Sequence, residues 1–153
     1  TYRSLGPVWV KERHPGQAVV WARFQNDVSL ALAALIPLGR AVRYDGLVAN
    51  DDRAEALRAF QAGEARYLVG NPHTAGRGLK LSAATLLVYY SNDFSLAARL
   101  QSEDRAEDLA KTTATDVVDL VATDTVDEKI VAALRANRRI ASEIMRDGVR
   151  EWI

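Results

Sequence analysis

Apolar positions recur along this chain in two rhythms. Short runs at 17–21 (QAVVW), 41–44 (AVRY), 67–69 (YLV), 86–90 (LLVYY) and 117–122 (VVDLVA) predict five strands. Runs as apolar as the first suit strands covered on both faces. Between them, spacings of three and four predict helices. Asn26 or Asp27 is expected to cap a helix that carries Val28, Leu32 and Leu35 and ends by residues 37–39. After the Asp45-Gly46 loop, Asn50 or Asp51 is expected to cap a second helix, with Leu57 and Phe60 facing the core and Gly63 closing it. A third helix is predicted over about 95–108. Thr125 and Glu128 form a Thr-x-x-Glu capping box for a final helix. Its apolar face holds Val126, Ile130, Leu134, Ala141 and Ile144, Asn137 interrupts that face, and Gly148 follows its end. Ahead of the first strand, Gly6-Pro7 before VWVKER predicts a short helix, although the alternation at Val8, Trp9 and Val10 also fits a strand. His14-Pro15-Gly16 is a turn.

Strands alternating with helices define an α/β fold: three αβα layers around a mostly parallel sheet. Three segments are expected: a lead-in over 1–16, the main domain over 17–124, and a C-terminal helical segment over 125–153 that packs on the domain or extends from it. In such sheets chemistry collects at the carboxyl ends of the strands. The loops 23–27, 45–50, 70–82 and 91–95 should therefore gather on one edge.

Composition narrows the function classes. At 153 residues, 48% hydrophobic and 26% charged, the chain suits one globular domain. It has no cysteine, and His14 and His73 are its only histidines, so no metal site is expected. No apolar run nears the roughly 18 residues of a membrane span. The chain starts at Thr1 without a signal-peptide pattern, which suggests a fragment or processed chain with a cytoplasmic setting as the default. The formal net charge is zero, yet residues 91–128 carry ten acidic and three basic side chains, and 129–153 carry six basic and three acidic. Any contact with nucleic acid should be local or shared with a second domain.

The richest segment for chemistry is 71–105. Gly76 and Gly78 lack side chains and can bring backbone close to a ligand. A tight loop with no ligand explains them as well. Gln101 and Arg105 are four apart and share a helix face, where a guanidinium could meet a phosphoryl group. Ion pairing of Arg105 with Glu103 and Asp108 is the plainer account of that helix alone. His73 and Thr74 enter the glycine loop, where a lone histidine is more often a surface residue. No Gly-Lys-Ser/Thr occurs, so a nucleoside triphosphate is not expected to be held by this chain alone. Asp127-Glu128 superficially matches a magnesium-binding acidic pair, but the capping box accounts better for Glu128.

The order of motifs carries more than any one of them. VVWARFQ (19–25), then Asp45-Gly46, an Arg53-containing helix ending at Phe60, TAGRGLKLSAA (74–84), the run into Gln-x-x-Asp-Arg at 101–105, and TVDEKI (125–130) together resemble the second motor domain of superfamily-two helicases. More narrowly, they resemble the Swi/Snf-type DNA-dependent ATPases, over about residues 17–144. The resemblance implies a RecA-like C-terminal lobe of an ATP-hydrolysing DNA helicase or translocase, in a bacterial or phage setting. ATP would be shared with a first RecA-like lobe that carries the P-loop and binds Mg2+, and this chain alone would be inactive. By position, Arg105 would face the phosphates, and Gln101 would position the nucleotide or couple it to DNA. Gly76, Arg77, Gly78 and Asp104 would line the nucleotide cleft. Arg23, Gln25, Thr74 and Lys80 would contact DNA phosphates.

One departure bears on activity. The family commonly continues Ala-His-Arg-Ile-Gly-Gln after the first arginine, whereas this chain reads AEDLAK at 106–111 and has Asp108 where the second arginine belongs. Arg105 acting alone, replacement by Arg77, Arg99 or Lys111, and a weakened motor all remain open. A motor-like lobe serving as a scaffold is the alternative function. A Rossmann-type enzyme is disfavoured, because no Gly-x-Gly-x-x-Gly follows a first strand.

Overall fold

A computed structural model describes residues 14–74, 79–108 and 111–150, with only the backbone for 141–150. The lead-in helix, Gly76, Arg77 and Gly78 lie outside the described residues, as do the side chains of Ala141 and Ile144. Five strands, β1 (Gln17–Trp21), β2 (Ala41–Tyr44), β3 (Tyr67–Gly70), β4 (Ala84–Tyr89) and β5 (Asp116–Asp119), pair in parallel in the order β2-β3-β1-β4-β5. β1 is central, with Val19 opposite both Leu68 and Leu87, which is why its run is apolar without alternation.

Among the described residues, four α-helices are α1 (Gln25–Leu35), α2 (Asn50–Gln61), α3 (Leu96–Asp104) and α4 (Val126–Arg150). On one face of the sheet, Ala18, Val20, Tyr67, Val69, Leu86 and Val88 pack against Val28, Ala31 and Leu35 of α1. On the other, Val19, Trp21, Leu68, Leu87 and Tyr89 meet Ala59 and Phe60 of α2, Leu79 and Leu81, and Ala106 just beyond α3. Helices on both sheet faces give the expected three layers.

Gln17 locks β1 to the end of α2, its Nε2 donating to the carbonyls of Phe60 at 2.5 Å and Ala65 at 2.8 Å. Gly63 closes α2 at φ +77°, a left-handed conformation that favours glycine. At Gly70 a Cβ would sit 2.2 Å from the Tyr44 carbonyl oxygen, so β2 and β3 need glycine there.

Several boundaries differ from expectation. The first helix begins at Gln25 with Phe24 as its N-cap, and the second at Asn50 with Ala49 as its N-cap, neither with a side-chain cap. Asp27, Asp51 and Asp52 instead place carboxylates in the first turns, where the helix dipole favours them. α3 stops at Asp104 rather than near Asp108, because the chain tightens into a turn. Ala106 N–H donates to the Glu103 carbonyl, and the Arg105 carbonyl is taken by Leu81 N–H at 2.8 Å. α4 runs past Gly148 to Arg150, and Val126 is exposed while Ile130, Val131 and Leu134 are buried. Thr125 caps it by accepting from Asp127 N–H at 3.2 Å. The Asp127 carboxylate accepts from Ala122 N–H at 3.3 Å, three residues ahead of the cap, rather than from the Thr125 N–H that a capping box uses.

Candidate functional site

The carboxyl ends of β1, β3 and β4 are interlocked by their loops. Tyr90 N–H donates to the Trp21 carbonyl and Ala22 N–H to the Gly70 carbonyl. Arg23 N–H donates to Ser91 Oγ at 2.9 Å, Ser91 Oγ donates to Asp27 at 2.7 Å, and Asn71 Nδ2 donates to the Arg23 carbonyl at 2.6 Å. The exposed Arg23 side chain lies 5.0 Å from the centre of the exposed Phe24 ring.

The entry to the glycine loop is tied to α3 through His73. Its Nε2 lies 2.5 Å from Asp93 Oδ2. Asp93 Oδ1 accepts from Ser95 N–H at 2.8 Å, and Ser95 Oγ caps α3 by accepting from Ala98 N–H. Burial would raise the Asp93 carboxyl, but the His73 and Ser95 hydrogen bonds and the nearby charges of His73 and Arg23 outweigh it and hold it below its ordinary value. His73 is thus a structural latch, which its sequence context did not reveal.

Arg105 follows the last turn of α3. Its Nη1 donates to the Pro72 carbonyl at 3.3 Å, so the guanidinium reaches toward the start of the glycine loop. Burial lowers its affinity for the proton, against the pull of the Tyr44 and Tyr89 phenols; a guanidinium stays charged at neutral pH regardless. Arg105 borders a cavity of about 360 Å³ that Leu79, Lys80, Ser82, Asp104, Glu107 and Asp108 also line.

The expected site residues therefore fall into two groups. Arg105, Asp104 and Lys80 surround the cavity. Arg23, Gln25 and Thr74 sit at the carboxyl edge: Gln25 exposed as the first residue of α1, Thr74 half-buried with its N–H on the Asn71 carbonyl. Lys80, grouped by sequence with those three, belongs with the cavity. Gln101 is exposed one turn before Arg105.

Two of the three suggested replacements for a second arginine are committed elsewhere. Arg99 lies 3.5 Å from the centre of the Tyr89 ring and bonds Asp119 at 2.5 Å, Glu103 at 2.6 Å and Asn92 at 3.0 Å. Lys111 Nζ donates to the carbonyls of Ala84 and Ala106 and to Thr115 Oγ1. Arg77, the third, lies outside the described residues. Among the described residues no group of three His, Asp or Glu side chains could hold a metal ion, and no helix is long and apolar enough to cross a membrane.

A parallel sheet with helices on both faces, and an arginine just beyond α3 beside a cavity that Leu79 and Lys80 also border, is the architecture of a RecA-like lobe. The chain belongs to the helicase conserved C-terminal domain family, which matches residues 2–108. It is similar to the transcription regulatory protein SNF2 of Saccharomyces cerevisiae, 28% identical over 109 residues that cover 70% of this chain and 6% of that protein. It is also similar to the ATP-dependent helicase brm of Drosophila melanogaster, 29% identical over 110 residues that cover 71% of this chain and 7% of that protein. The structure of the C-terminal part of the Fun30 ATPase domain shares the fold, with a TM-score of 0.72 and 19% identity over 86% of this chain and 42% of that one. The Swi/Snf-type resemblance therefore holds, and the chain is a helicase C-terminal domain with the RecA-like fold. It spans between 6% and 12% of the length of six curated relatives it matches. The expectation of a bacterial or phage cytoplasm is corrected: these relatives are eukaryotic, and one from yeast is named nuclear protein STH1/NPS1. Neither composition nor charge carries information on compartment that could have prevented the error.

Proposed function

We propose that this lobe closes over ATP held by a first RecA-like lobe of the same parent and follows the DNA backbone as it does so. The observation that supports this most is the Arg105 guanidinium, half-buried at the edge of a 360 Å³ cavity and steadied by the Pro72 carbonyl. A cation fixed in that way stabilises charge that builds on a transferred phosphoryl group. In this reading Gln101 positions the nucleotide, Asp104 and Arg77 border the cleft, and Gly76 and Gly78 let the loop approach it. Arg23, Gln25 and Thr74 contact DNA phosphates from the carboxyl edge, with Lys80 nearer the nucleotide. Such contacts fix register without reading sequence. Mg2+ would be bound by the first lobe. Residues 17–124 form the lobe, 1–16 lead into it and 125–153 pack on it or extend from it. The isolated 153-residue chain should not hydrolyse ATP.

A second reading has its own observation. Asp104, Glu107 and Asp108 all border the cavity beside Arg105. Three carboxylates there oppose an incoming polyphosphate, which favours a slow motor or a scaffold. DNA-stimulated ATPase of the full-length parent and its Asp108→Arg variant separates the two. A gain in kcat supports a motor lacking its second arginine; no ATPase in either protein supports the scaffold.

A further inference from the structure

The three helices that cover the sheet are held in different ways. α1 buries Val28, Ala31 and Leu35, and α2 buries Ala56, Ala59 and Phe60. The buried residues of α3 are Ser102 and Glu103, both polar. The position of α3 therefore depends on directional polar contacts more than on apolar burial, which has no preferred direction.

Arg99 is the hub of those contacts. Its guanidinium stacks on Tyr89 of β4 and bonds both carboxylate oxygens of Asp119 on β5, at 2.5 and 3.2 Å. It also bonds Glu103 one turn along α3, and the other Glu103 oxygen takes Arg138 of α4 at 2.9 Å. The Tyr89 hydroxyl meets Ser102 Oγ at 2.6 Å. Tyr89 thus lies beneath Arg99 and also bonds Ser102, three residues before Arg105.

We propose that Arg99 is a positioning residue, which fixes α3 against β4, β5 and α4 and so sets where the Arg105 guanidinium sits. This rests on the reading of Arg105 as the phosphate-facing cation. The fork geometry is required, because a lysine cannot stack on Tyr89 while bonding two carboxylates.

The test is a double-mutant cycle on DNA-stimulated ATP hydrolysis by the full-length parent. Arg99→Leu and the shape-preserving Asp119→Asn are each made alone and combined with Arg105→Ala. Arg99→Leu should lower kcat on the order of 10- to 10²-fold, as misplacement of a reacting group does. Asp119→Asn should lower kcat less, with KM for ATP moving by less than about twofold in either variant. In the Arg105→Ala background neither change should cost more, because its route of action is already gone. An equal loss in both backgrounds would show a merely structural role and overturn the proposal, as would no loss from either variant. If Arg99→Leu does not fold, the Asp119→Asn arm decides. A harmless Arg105→Ala overturns the phosphate-facing reading and the positioning role with it, an outcome distinct from the others.

Discussion

Two helices lie on the same face of the sheet and are built on opposite terms. α2 is anchored by the fully buried Phe60 and Ala59 and closed by Gly63. α3 is anchored by Arg99 on Asp119, Glu103 on Arg138 and Ser102 on Tyr89. The first arrangement tolerates small shifts, because dispersion contacts are many and individually weak. The second holds one geometry, because an arginine fork fits its carboxylates in few orientations. The helix held by polar contacts is the one that ends in Arg105, so precision coincides with the candidate chemistry.

Substitutions that exchange stability for geometry sharpen this contrast. Phe60→Ala should produce the largest stability loss, about 4 kcal/mol for emptying a buried ring site. Chemical denaturation of the 153-residue chain would read it, and in the parent the kcat of the folded fraction should hardly move. Arg99→Leu should cost about 3 kcal/mol, mostly by leaving the Asp119 and Glu103 carboxylates without their shared partner; here kcat should fall as well. A stability loss below about 0.5 kcal/mol would remove the claim that this network anchors α3. Tyr89→Phe should cost about 1 kcal/mol through the lost Ser102 bond, seen as a lower melting temperature.

The smallest effect concerns acid. The carboxyl of Asp93 is lower in the folded chain than in the unfolded one. Its contribution is present above the unfolded value and is lost as pH falls through the folded one, so the loss lies at and below about pH 4. Melting temperature of Asp93→Asn against the parent sequence should therefore differ at pH 7 and converge toward pH 3. Divergence on acidification would reverse the sign assigned to the latch.

Much of the fold was legible because parallel strands leave strong traces. Residues 17–21 had to be apolar on both sides, and all five strands fall where the runs predict, within two or three residues at their ends. Caps were less legible. Phe24 and Ala49 have no side-chain oxygen, so nothing marks them as N-caps, while Asn26, Asp27 and Asn50 have the right chemistry one to three positions late. Of the site, motif order put Arg105 and Asp104 together, whereas it grouped Lys80 with the DNA contacts although Lys80 borders the same cavity. The Arg99 hub was half readable: Glu103 lies at i+4, but Asp119 is 20 residues away and meets Arg99 only once β5 pairs with β4. The His73–Asp93 latch, also 20 residues apart, left no pattern at all.

The central claim is that Arg105 presents the cation and the rest of α3 aims it. Single-turnover ATP hydrolysis by the full-length parent on saturating DNA, wild type against Arg105→Ala, tests this most directly. The expected result is a loss of about 10³-fold or more in the hydrolysis step, with nucleotide and DNA still bound. A hydrolysis rate within about threefold of wild type, far short of an arginine finger's worth, would contradict it.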